Sequence, residues 1–109
     1  MKMVSFWKGP NGESTPPVQF YDEDGELFLI YGYYDHKNQS GGVKANMQKC
    51  VGVYWRDDYP SSHGVLTPCV IPPRTAKCLL KGLFLELLSE GENDKAKKVS
   101  EAIHFLSCE

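Results

Sequence analysis

The proline pair at positions 72 and 73 constrains the fold more than any other feature. Adjacent prolines remove two backbone donors and fix φ near about −65°, so neither a central strand nor a helix interior runs through them. Before the pair, apolar residues alternate with the period of a strand. After it, they recur with the period of a helix. Strands followed by helices are the pattern of an α+β domain. The expected architecture is an antiparallel sheet of about five strands from residues 1–71, packed against a helical hairpin from residues 72–109.

The expected strands are Met3–Trp7, Val18–Tyr21, Glu26–Tyr34, Cys50–Trp55 and Val65–Ile71. Asp22-Glu23-Asp24-Gly25 contains the Asp-Gly pair that favours a tight hairpin. Glu26–Tyr34 carries apolar side chains on both faces, which places it in the middle of the sheet with cover on both sides. Pro68 limits the last strand to an edge or a bulge. Gly9-Pro10-Asn11-Gly12, Asp35–Gly42 and Arg56–Gly64 read as connections, and Val43–Gln48 fits no single pattern.

In the helical third, Ala76, Leu79, Leu80, Leu83, Phe84, Leu87 and Leu88 form one stripe, and Cys78 and Leu85 widen it. A helix this apolar is expected to be buried on more than one side, as the central helix over Thr75–Glu90. Gly82 lies on its narrower back, where it permits a close backbone approach. Gly91 suits a C-terminal cap and Asn93 an N-terminal one. The second helix, Asp94–Leu106, is expected as the outer cover, antiparallel to the first because the link is short. Ala96, Val99, Ala102, Ile103 and Leu106 share its apolar face. Phe105 falls off that stripe, between Lys98 and Glu101, either as an exposed contact point or as part of a last turn that folds back.

Length and charge narrow the function. A chain of 109 residues fits one domain, and its 41% apolar and 24% charged composition is that of an ordinary globular protein. The net charge is −2 and the pI about 5.9, with arginine only at 56 and 74. Nucleic-acid affinity rests on Lys and Arg contacts to phosphate, so this balance argues against it. The weak remaining route is Lys95, Lys97 and Lys98 on the second helix. No secretory segment is evident, and the longest apolar run, Leu27–Tyr34, is far below the roughly 20 residues of a membrane helix. A cytoplasmic protein with no membrane contact is the expectation. Cysteines at 50, 69, 78 and 108 contain no Cys-x-x-Cys pair, so reduced thiols serving as small core residues are expected rather than disulfides or zinc.

No motif writes a reaction, a metal site or a cofactor into the chain. Ser61, Ser62 and His63 with a nearby Asp are too close together in one loop to aim at each other as a triad. Asp22–Glu26 holds only part of a calcium loop, and Gly41-Gly42-Val43-Lys44 lacks phosphate-loop spacing. The richest segment runs from Tyr54 to Gly64. Tyr54, Trp55, Arg56, Asp57, Tyr59 and His63 combine aromatic area, a cation, a carboxylate and an imidazole. They read either as a strand end with a wide turn or as a binding site. Phe105 joins them as a candidate contact.

Val53-Tyr54-Trp55-Arg56, Tyr59-Pro60-Ser61-Ser62-His63-Gly64 and Pro68-Cys69-Val70-Ile71-Pro72 resemble small uncharacterised bacterial proteins of mobile, integron-type gene cassettes. The resemblance is confined to residues 53–72. It implies a bacterial origin and an accessory role, and it carries over no activity and no site residue. Two functions remain in view. One is a non-catalytic accessory protein, inhibitor-like or immunity-like, that binds another protein and possesses an edge suited to a homodimer. The other is a small-molecule binder or simple enzyme with a pocket near Trp55, Tyr59 and His63.

Overall fold

The computed structural model describes residues 2–3, 7–10, 15–35 and 47–108. The Gly41-Gly42-Val43-Lys44 stretch and the part of the Asp35–Gly42 connection beyond Asp35 lie outside the described residues. The strands are β1 (Lys2–Met3), β2 (Trp7–Lys8), β3 (Val18–Glu23), β4 (Leu27–Tyr34), β5 (Gln48–Trp55), β6 (Ser61–Ser62), β7 (Val65–Leu66) and β8 (Cys69–Ile71). The helices are α1 (Pro73–Ser89) and α2 (Asn93–Ser107). The chain is therefore an α+β protein with an antiparallel five-stranded sheet and two C-terminal helices, as its period change predicts.

β4 is the central strand. One of its edges pairs with β5 over its whole length, from Leu27↔Trp55 to Tyr34↔Gln48. Its other edge is shared: β3 covers Leu27–Tyr31 and β2 covers Tyr33–Tyr34. β8 closes the far side against β5. Two expected strands divide. Met3–Trp7 gives β1 and β2 in separate sheets, and Val65–Ile71 splits at Thr67-Pro68 into β7 and β8. Proline has no ladder donor, which is why pairing stops there. β7 instead joins β1 in parallel and β6 antiparallel, as a second small sheet.

Turn chemistry sets the hairpins. Asp24 and Gly25 both have positive φ (51° and 74°), and Glu26 N–H donates to the Glu23 carbonyl at 2.9 Å. Gly25 N–H also donates to the Asp22 carboxylate. His63 and Gly64 repeat this pattern between β6 and β7, with φ of 51° and 75°. Positive φ at both central residues matches the twist of the flanking strands. Farther along β3 the register shifts between Gln19 and Tyr21, which leaves Phe20 as an extra residue. That bulge breaks the alternation, so Phe20 and Tyr21, neighbours in sequence, both pack into the helix-facing core.

The main core lies between sheet and helices. Leu29, Val51, Phe20, Ala76, Leu80, Leu87, Ala96, Val99, Ala102 and Leu106 build it. Fully burying one such aliphatic side chain contributes about 1.5–3 kcal/mol. The reverse face of the sheet carries a smaller cluster of Trp7, Ile30 and Cys50, joined by Tyr34, Tyr54 and Val70. Gly52 makes this possible. A Cβ there would sit 2.8 Å from Ile30 Cγ1 and 2.9 Å from Trp7 Cζ2. Both faces of β4 are thus occupied, as its sequence requires.

The helices differ from expectation in depth. α2 packs directly on β3 and β5, and α1 lies beside it on β5, so neither is an outer cover for the other. α1 ends as predicted: Gly91 has φ 76°, its N–H meets the Leu88 carbonyl, and Glu92 N–H reaches the Leu87 carbonyl at 2.9 Å. Asn93 is the first residue of α2 rather than its cap; Glu92 holds the cap position without a side-chain hydrogen bond.

Candidate functional site

The chemically rich segment at the end of β5 is held by its own turn. Trp55 N–H donates to the Tyr59 carbonyl at 2.6 Å, and Asp57 and Asp58 between them both have positive φ. Trp55 and Tyr59 rings stand 6.4 Å apart, with 38% and 65% of their surface exposed. Arg56 is tied to the β3–β4 turn, where its N–H donates to the Glu26 carbonyl at 3.0 Å and its guanidinium pairs with the Glu26 carboxylate. Both side chains of that pair are largely exposed. Such a pair contributes little to stability, about 0–1 kcal/mol. His63 sits at the tip of the β6–β7 hairpin and is exposed.

Tyr54 belongs to the opposite face. It stacks on Phe28 with centroids 5.0 Å apart, and its hydroxyl donates to Gln19 Oε1 at 2.7 Å. Burial first, then the carboxylates of Asp58 and Asp22, raise its pKa above the usual tyrosine value. Of the residues singled out by sequence, Trp55, Arg56, Asp57 and Tyr59 therefore share one turn. Tyr54 and Phe105 do not join them.

Phe105 lies at the other end of β5. Its ring is 4.9 Å from Tyr31 and 5.5 Å from Tyr33, and the Lys49 ammonium stands 5.0 Å over it. Trp55 lies six positions along the strand from Lys49, a distance of about 20 Å. Phe105 is half-buried, so the off-stripe position read from the helical wheel packs on Tyr31 and Tyr33 of the central strand rather than standing in solvent. Lys49 also donates to the Phe105 carbonyl at 3.1 Å and to the Cys108 carbonyl. A cation there satisfies two free carbonyls at the C-terminus of α2 and complements the helix dipole.

These residues line an open cleft of about 600 Å³, with Ser100, Glu101 and His104 on its α2 wall. Cys108 Sγ is 3.3 Å from His104 Nε2 at the cleft rim. Burial, and then the Glu101 carboxylate, raise the Tyr31 pKa. The cleft offers aromatic floor, one ammonium already committed to backbone, and a mixed polar wall.

The other notable surface is the outer side of α1, which sequence reading assigned to the interior. Leu79, Leu85 and Leu88 are 44%, 65% and 44% exposed, and Cys78 is exposed beside them. A Cβ on Gly82 would meet nothing within 4 Å. Among the described residues, the sheet and α2 pack on α1 from the side of Ala76, Leu80 and Leu87.

Among the described residues, no group of three or more His, Cys, Asp or Glu side chains is placed to hold a metal ion. No helix among them is long and apolar enough to cross a membrane. No known protein family, curated protein or solved structure matches the chain.

Proposed function

We propose that the chain is a non-catalytic protein-binding domain whose contact surface is the outer side of α1. The observation that carries this reading is the exposure of Leu79, Leu85 and Leu88 on one helix, with open space at Gly82. Large apolar side chains that the fold leaves in solvent supply the burial a protein contact needs. The exposed Trp55–Tyr59 pair is a second patch of the amphipathic type favoured at interfaces. An accessory role of this kind agrees with what the gene-cassette resemblance implies. The test uses two baits, the wild type and Leu85→Glu, against lysate of the source cells. Proteins retained by the first and lost from the second support the reading; identical retention by both overturns it.

A ligand-binding role is the second reading, and the Tyr31–Tyr33–Phe105 cleft favours it over the exposed turn at Trp55, Tyr59 and His63. A thermal-shift screen supports it if hits disappear in Phe105→Ala and persist in Trp55→Ala.

A further inference from the structure

We propose that Cys108 is a site of reversible thiolation: it exchanges with a low-molecular-weight disulfide of an amino-acid or peptide thiol, and the cleft beside it holds the attached group. This rests on the ligand-binding reading of the cleft given above and names a covalent occupant for it. Three observations meet at one place. Cys108 Sγ stands 3.3 Å from His104 Nε2, within reach of a shared proton. Both side chains are exposed. Both also line the cleft of about 600 Å³ between the sheet and α2. Among the described residues neither Cys69 nor Cys78, which are exposed as well, has an imidazole partner.

A thiol within hydrogen-bond reach of an imidazole is a nucleophile beside its base. The C-terminal end of a helix by itself opposes a negative sulfur. Lys49 offsets that here, because its ammonium donates to the Phe105 carbonyl at 3.1 Å and to the carbonyl of Cys108 itself. The exchange then balances in one step. His104 takes the thiol proton, and the Cys108 sulfur attacks one sulfur of the disulfide. The new S–S bond forms as the old one breaks. The departing thiolate collects the proton from His104 and leaves as a thiol. The small disulfide is the oxidant, and a small thiol reverses the step.

The cleft selects the kind of thiol. Its floor holds the rings of Tyr31, Tyr33 and Phe105, with the Lys49 ammonium 5.0 Å over the last of them. An ammonium has three N–H donors, and Lys49 gives two of them to backbone carbonyls. The third suits a carboxylate. Glu101 lines the same cleft from α2, three residues before His104, and suits an ammonium or an amide N–H. A carboxylate and an amino or amide group on one small thiol are what amino-acid and peptide thiols carry. A volume of about 600 Å³ has room for such a group.

The test treats the native chain at neutral pH with glutathione disulfide and maps the adducts by mass spectrometry. The background carries Cys78→Ser, because that thiol has cations of its own nearby in sequence, Arg74, Lys77 and Lys81. Exposed Cys69 is then the reference. Cys108 should take up the adduct about tenfold faster than Cys69, the size of a charge-pair attraction in water at 3.3 Å. His104→Gln should bring Cys108 down to the Cys69 rate, and an unchanged Cys69 rate shows that the fold is intact. With cystamine, a disulfide without carboxylates, the advantage of Cys108 should shrink severalfold. Equal rates at Cys108 and Cys69 overturn the inference, as does an advantage that survives His104→Gln. An undiminished advantage with cystamine overturns the assigned class of thiol. If reversible ligands of the cleft disappear in Phe105→Ala while Cys108 reacts no faster than Cys69, the ligand-binding reading stands and thiolation alone falls.

Discussion

Cys50 and Cys78 are the same residue in opposite settings, and the difference is one of placement. Cys50 is fully buried on the reverse face of the sheet, and burial pushes its thiol up to about 11 from the ordinary 9.0. Cys69, Cys78 and Cys108 are exposed. An aromatic disulfide reagent at neutral pH should therefore titrate three thiols in the native protein and the fourth only on unfolding. The shift has a stability consequence. The unfolded thiol loses its proton above 9.0 while the folded one keeps it until about 11, so the fold is destabilised as pH rises through that interval. Urea midpoints should fall between those values, and less steeply in Cys50→Ala. Sequence alone treated all four cysteines as core residues because it assigns a residue type an average environment. It had no means of telling the β5 position from the α1 surface.

At the scale of elements, strand and helix existence was legible and side-chain neighbourhoods were not. The two-faced apolar pattern of Leu27–Tyr34 identified the central strand correctly, because only a strand covered on both sides tolerates it. Phe20 and Tyr21 were not legible as same-side neighbours, since a bulge erases the period on which such a reading depends. His63 drew notice as an imidazole, yet its backbone works as the left-handed residue of a two-residue hairpin. Histidine is among the few non-glycine types enriched there. β5 carries two further expectations. Gly52→Ala should cost about 1–3 kcal/mol in urea denaturation, because Ile30 and Trp7 occupy the space of the added methyl. Lys49→Met should speed amide exchange over the last turn of α2 and cost about 1 kcal/mol, because two carbonyls lose their donor.

For the whole molecule, the informative failure concerns α1. Its hydrophobicity demanded cover on more than one side, and the described residues cover only one. The apolar count of a helix reports how much surface must be hidden, not whether its own chain does the hiding. Leu85→Glu should leave the thermal midpoint of the isolated protein unchanged, because that side chain is 65% exposed.

The crowding of Trp7 against Gly52 has one more use. The chain's two tryptophans sit in opposite media, Trp7 at 5% exposure and Trp55 at 38%. Emission should therefore be heterogeneous: a blue component shielded from acrylamide, belonging to the back of the sheet, and a red component open to quenching, belonging to the β5 turn. Trp7→Phe and Trp55→Phe would separate them, giving two built-in optical reporters about one sheet's length apart.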